Sequence, residues 1–183
     1  MSFLKGRFLK RLFAGLLFSI IGYFLLIFSI EDTSFLSYGI LSIILCHIFY
    51  IRAFYLDFRS APELDKQGAR IAILLTFILS ISYYFYIRQS LGKAQLPVLI
   101  CTLVVAFMMM MASFRNQRVN PKSFYLVLAG ILLFALADAL FVYVRFLNAL
   151  PNGKMGLHSL FLLAQILIVA GGLSRKLVRT HSE

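Results

Sequence analysis

Tryptophan is absent from this 183-residue chain, cysteine occurs twice, proline four times, and acidic residues number seven against eighteen Lys and Arg. Each shortage removes a class of protein. Cys46 and Cys101 both lie inside apolar runs, and no CxxC or Cys/His spacing accompanies them. That excludes a disulfide framework and a zinc or redox motif, and leaves two small buried side chains. Charged residues make up 14% of the chain, against roughly a quarter in an ordinary soluble domain. No glutamate falls in an apolar run, and HExxH, Walker, Rossmann and Ser-elbow motifs are missing, which excludes the chemistries those motifs carry. No apolar run is broken in its middle by Pro or Gly in the way that builds a midplane transport site.

Apolar and aromatic residues supply 61% of the chain, and the mean hydropathy is +0.90. They fall in runs of about twenty, the length a helix needs to cross about 30 Å of hydrocarbon. A soluble fold of this size cannot hide that much apolar surface. The net charge of +11 does not point to nucleic acid, because the basic residues sit in short groups between the runs and share no face. The reading is an all-α polytopic bundle forming one transmembrane domain over residues 1–183. Its spans are expected near Phe8–Ile30, Phe35–Leu56, Ile71–Ile87, Leu96–Phe114, Ser123–Leu147 and Met155–Leu173. The alternating ten-residue pattern of an outer-membrane barrel is absent.

Lys5, Arg7, Lys10 and Arg11 ahead of an apolar stretch resemble a secretory leader. The stretch from Leu12 to Ile30 is too long for one, and it ends at Ile30-Glu31-Asp32 without a small-x-small site, so a retained first span is expected. Counting connections, one side of the membrane takes fourteen basic residues: the N-terminal group, Arg52, Arg59, Lys66, Arg70, Arg115, Arg118, Lys122, Arg175, Lys176 and Arg179. The other takes four: Arg88, Lys93, Arg145 and Lys154. Both termini are therefore expected in the cytoplasm, and the compact length suggests a bacterial inner membrane.

Six of the seven acids (Glu31, Asp32, Asp57, Glu63, Asp65, Glu183) belong by position to loops or ends, leaving Asp138 alone deep in a span. A carboxylate there costs on the order of 3 kcal/mol by insertion scales, so Asp138 should face the bundle interior, protonated or paired. It is either a packing hydrogen bonder or a proton donor. His47 is the other deep ionisable group, with Tyr50 one turn on, and it carries the same two readings. Gln165 and Ser19 can join helices by hydrogen bonds. The Met108–Met111 run reads as adaptable packing, and His158 as a residue of a solvated mouth. Pairs such as Gly15/Ser19 and Ala135/Ala139 suit close helix contact, within one chain or between chains. There is an internal echo: Gly15 precedes Tyr23 by the spacing with which Gly130 precedes Asp138. Tyr23 and Asp138 are thus expected at similar depth, in the manner of parallel repeats with a site between halves.

The stretches Phe18-Ser19-Ile20-Ile21-Gly22-Tyr23, Tyr38-Gly39 and Cys46-His47-Ile48-Phe49-Tyr50-Ile51-Arg52 resemble the first half of YhhN-type membrane proteins, the lysoplasmalogenase family. Leu133–Asp138 resembles that family's Phe-x-x-Ser-Asp element, and Ala164-Gln165-Ile166-Leu167-Ile168 its Ala-Gln-x-Leu-Ile ending. Two departures stand out: Tyr23 occupies the place of an expected aspartate, and Ala137 that of a serine. Members usually have about eight spans, so the resemblance implies that the first two are missing here. It further implies hydrolysis of the vinyl ether bond of lysoplasmalogens, with a membrane lipid as substrate and no cofactor. In that picture Asp138 and His47 are catalytic, and Tyr23, Tyr50, Gln165 and Ser19 line the substrate site. A catalytically degenerate member that binds lipid or supports membrane partners, and a small transporter with Asp138 and His47 as proton relay, are the alternatives.

Overall fold

The computed structural model describes residues 2–29, 33–60, 66–147 and 154–178. Glu31, Asp32, Glu63, Asp65, Arg179 and Glu183 lie outside the described residues. Among the described residues the chain forms six helices and no strand: α1 (Ser2–Phe28), α2 (Thr33–Phe58), α3 (Lys66–Ile87), α4 (Gln95–Ser113), α5 (Pro121–Leu147) and α6 (Lys154–Leu173). All six are long and apolar enough to cross a membrane, as an integral membrane helical bundle requires, because lipid offers no partner for an open backbone group. The helices match the expected spans to within two residues except at the starts of α1 and α3. α1 begins at Ser2 and α3 at Lys66, ahead of their apolar runs, since a basic side chain in a first turn can reach the interface without interrupting the backbone ladder.

Proline and glycine mark the ends. Pro121 is the first residue of α5, where its missing N–H has no helical acceptor to lose. Two single 3₁₀ turns, Arg88–Ser90 and Gly92–Ala94, join α3 to α4. The second opens on Gly92 at φ 50°, a left-handed conformation that a Cβ would penalise.

α1 packs on α2, α5 on α6, α4 on both α2 and α5, and α6 returns to α1. These five helices close a ring. α3 stands outside it against α4 and meets α5 near its own end, where the Tyr83 hydroxyl donates to the Ala139 carbonyl at 2.5 Å. Since lipid tails are as apolar as leucine, helices in a bilayer are joined by close van der Waals approach and by polar contacts. Gly130 provides the first: a Cβ there would stand 2.9 Å from both the Ala164 carbonyl oxygen and the Ile168 nitrogen of α6. Both atoms belong to the backbone and cannot swing aside.

The second kind of tie lies at the face that carries both ends of the described chain. Asp57, in the last turn of α2, is fully buried. It accepts from Arg115 Nε at 2.7 Å and from Arg175 Nε at 2.6 Å. Arg115 also donates to the Ser123 hydroxyl (2.9 Å), which donates in turn to the Gly171 carbonyl (2.7 Å). The guanidinium carbon of Arg115 lies 5.2 Å from the Phe54 ring centre, and that of Arg175 lies 4.5 Å from that of Phe8. Burial pushes the Arg115 guanidinium down from its ordinary value; the Asp57 carboxylate opposes this, and Arg175 adds to it. A guanidinium stays charged even so. Arg175 is held in place by a short antiparallel pairing of Val119 with Leu177, in which Asn120 N donates to Lys176 O and Val178 N to Arg118 O. One carboxylate thus ties α2, the α4–α5 turn and the segment after α6. This corrects two sequence expectations: Asp57 is not a loop acid, and Arg115, Arg118 and Arg175 are buried rather than simply marking topology.

Two outcomes follow. Gly130→Ala is expected to destabilise the bundle by about 1–3 kcal/mol, the usual result of overpacking against atoms that cannot yield, seen as a lower Tm in detergent. Asp57→Asn leaves two buried guanidinium groups without their counter-charge, and is expected to cost about 3–5 kcal/mol in a denaturation experiment. Wild-type stability in that variant would show that the network contributes no such tie.

Candidate active site

The interior face of α2 carries His47, Tyr50, Phe54 and Asp57, all fully buried. Their spacing of three, four and three residues is that of one helical stripe. Opposite His47, α5 brings in Asp138. His47 Nε2 lies 3.0 Å from Asp138 Oδ2, with the His47 side chain 0% exposed and the Asp138 side chain 18% exposed. The separation is that of a hydrogen bond, yet neither ring nitrogen of His47 nor Asp138 Oδ2 makes an aligned one among the described residues. The imidazole packs against Phe134, ring centres 4.9 Å apart. The site is therefore a carboxyl and an imidazole within proton-transfer distance whose hydrogen-bonding capacity is not used up by the surrounding protein.

Asp138 also lines a small cavity between α1, α2, α5 and α6, walled by Tyr23, Leu26, Phe141, Leu157 and Phe161 among others. The space available to water centres is about 10 Å³, roughly one water molecule. Asp138 sits along α5 (Pro121–Leu147) about 14 Å from Leu147 and about 26 Å from Pro121, at 1.5 Å per residue. The cavity is therefore nearer the face opposite the termini. The two positions of the internal echo, Tyr23 and Asp138, share it.

Tyr23 stacks on Phe161, with ring centres 4.2 Å apart and planes 11° from parallel. Its hydroxyl meets Nδ1 of His158 from the first turns of α6. His158 is half-buried and engaged with Tyr23, which corrects its reading as a residue of a solvated mouth.

Tyr50, Gln165 and Ser19 form a separate layer one turn closer to the termini. The Tyr50 hydroxyl donates to Gln165 Oε1 at 2.6 Å; Ser19 Oγ lies beside it and donates to the Leu16 carbonyl at 2.7 Å. These three are buried and are not among the residues lining the cavity. Of the six residues singled out from sequence, Tyr23, His47 and Asp138 thus meet at one place, while the other three brace the helices behind it.

The Asp57 cluster is the larger concentration of buried charge, but it does not resemble a reaction centre. Both carboxylate oxygens are engaged by guanidinium groups, and aromatic rings cover the arginines. The Met108–Met110 side chains are buried in the core. Among the described residues, no three His, Cys, Asp or Glu side chains gather closely enough to hold a metal ion.

No curated protein and no solved structure matches the chain. The model of the YhhN family does, over residues 3–172. That range takes in α1 through nearly all of α6, including the His47–Asp138 contact, the Tyr23–Phe161 stack and the layer of Tyr50, Gln165 and Ser19. With the match extending over almost the whole bundle, the chain belongs to the YhhN family.

Proposed function

We propose that this chain is an integral membrane lipid hydrolase of lysoplasmalogenase type, acting inside the bundle on the vinyl ether bond of a lysophospholipid, with both termini in the cytoplasm. Membership of the YhhN family supports the substrate class. The observation that carries the reading is the His47–Asp138 pair: 3.0 Å apart, with the imidazole buried and the carboxyl opening on a cavity.

The chemistry follows from the bond. A vinyl ether opens by protonation at carbon, so the first need is a general acid in an apolar setting. A neutral carboxyl is suited to that task. The Asp138 carboxyl gives its proton to the double-bond carbon remote from the ether oxygen, and the electron pair of the double bond forms the new C–H bond. This leaves an oxocarbenium ion, whose positive charge the resulting carboxylate stabilises at close range, as in other two-step hydrolyses through such ions. Water adds to the cationic carbon and loses a proton to the carboxylate, which restores the acid. The hemiacetal then collapses to a fatty aldehyde and a glycerophospho-alcohol. His47 Nε2, within reach of the carboxyl, acts as its proton partner and buffers the charge that alternates on Asp138. Tyr50 and Gln165 position α2 against α6 through their hydrogen bond.

One feature supports the alternative of a lipid-binding member without activity: Tyr23 stands where the family pattern expects an aspartate, leaving a single carboxyl on the cavity. The two readings separate in one assay. Membranes or purified protein are given a lysoplasmalogen, and aldehyde release is followed for wild type and for Asp138→Asn. The hydrolase reading predicts release by wild type and a loss of about 10²-fold or more in the variant, the usual contribution of a general acid. Full activity in Asp138→Asn would remove that carboxyl from the mechanism. No release by either protein would favour the lipid-binding alternative.

A further inference from the structure

We infer that Tyr23, fixed by His158, holds a single water molecule against Asp138, and that this is the water consumed in the hydrolysis. The inference rests on the hydrolase reading for the role of that water, but not for its position. A phenol hydroxyl in an apolar wall needs a partner, and Tyr23 finds it in His158 Nδ1. Two further contacts fix the ring: the parallel stack on Phe161 at 4.2 Å and the edge-on contact with the His158 ring at 5.3 Å and 86°. The oxygen of Tyr23 is therefore placed by three contacts with two residues of α6, His158 and Phe161.

The same residue lines the cavity that Asp138 opens into, and the space there suits about one water. A water in protein needs two or more polar partners. Leu26, Ile43, Phe141, Leu157 and Phe161 offer none, so the partners on the cavity wall are the Tyr23 oxygen and the Asp138 carboxyl. Asp138 Oδ2 is buried beside His47, so the hydrogen bond from the water goes to the other carboxyl oxygen, Oδ1.

The direction of the Tyr23 hydroxyl decides what the water can do. With its proton directed to His158 Nδ1, the phenol oxygen faces the cavity as an acceptor. The water then donates one O–H to Tyr23 and the other to the Asp138 carboxylate formed in the first step. Its lone pair is left pointing away from both, towards the lipid that has taken the proton. When that pair forms the new C–O bond, the O–H bond directed at Asp138 breaks, and the proton passes to the carboxylate. If His158 did not accept the phenol proton, Tyr23 would donate to the water, occupy one of its two lone pairs and weaken the other as a nucleophile. Tyr23 touches the reacting water and His158 acts through Tyr23, so His158 is a positioning residue.

Two measurements test this. The first is steady-state aldehyde release from a lysoplasmalogen by the full-length protein. Tyr23→Phe keeps the ring stack and removes the oxygen; it is expected to lower kcat at least about tenfold with KM changed by less than about twofold, as for a contact made on the way to the transition state. His158→Ala is expected to act in the same direction. His158→Asn, whose side-chain oxygen falls near the position of Nδ1, is expected to recover most of the loss. A purely structural role predicts a harmless Tyr23→Phe and no difference between His158→Ala and His158→Asn, and either result would overturn the assignment. The second measurement is a lipid-grown crystal structure of wild type and Tyr23→Phe at a resolution that shows ordered water. One water bonded to both the Tyr23 oxygen and the Asp138 carboxyl, and lost in the variant, is expected. If wild type releases no aldehyde, the hydrolase reading fails by itself and the crystal structures alone judge the water position. A wild-type structure without that water sinks the proposal whatever the assay gives.

Discussion

A carboxylate cannot sit bare in hydrocarbon, and the bundle is organised by how it answers that constraint at two aspartates. Asp57 is answered in full. Two guanidinium groups occupy its oxygens, and aromatic rings cover the guanidinium groups. Asp138 is answered in part. One imidazole stands 3.0 Å away without an aligned hydrogen bond, and the residue lines a cavity. A saturated charge is a tie between helices. A charge met by a single titratable partner, beside space for a reactant, has the capacity to exchange a proton.

The architecture places these two answers at different depths along one stripe. His47, Tyr50, Phe54 and Asp57 follow one another down the inner face of α2. The termini-facing end of the stripe is locked by the tail after α6, which pairs with the α4–α5 turn through Val119 and Leu177. The other end meets the cavity. Rigidity at the locked end and at the close approach of Gly130 to α6 gives the site a fixed frame, which a reaction needing groups placed to within a fraction of an ångström requires.

Much of this was legible in the sequence. The six spans follow from run length, and Asp138 and His47 stand out because ionisable groups are rare at membrane depth. The recurrence of the Gly15–Tyr23 spacing at Gly130–Asp138 correctly placed Tyr23 and Asp138 at matching depths. The Asp57 cluster was missed because positional reasoning assigns a residue to a loop when an apolar run stops beside it. A buried ion pair extends a helix interior past that stop. The signal that could have found it is the stripe itself, since Asp57 continues the face of His47, Tyr50 and Phe54. Arg115 and Arg175 carry no comparable local mark; counted as topology charges, they are distinguished only by a contact with a residue far away in sequence. The His158–Tyr23 contact is likewise long-range, and no periodicity within one helix reports which side chain of another it will meet.

The central claim is that the Asp138 carboxyl and the His47 imidazole share the interior of the bundle within proton-transfer distance. Solid-state NMR on the full-length protein in lipid, with 15N-labelled histidine and 13Cγ-labelled aspartate, measures this directly through their dipolar coupling. The account predicts a strong coupling between His47 Nε2 and the Asp138 carboxyl carbon that disappears in His47→Gln. The absence of that coupling in wild type, with the Asp138 carbon instead in contact with acyl chain protons, would contradict it.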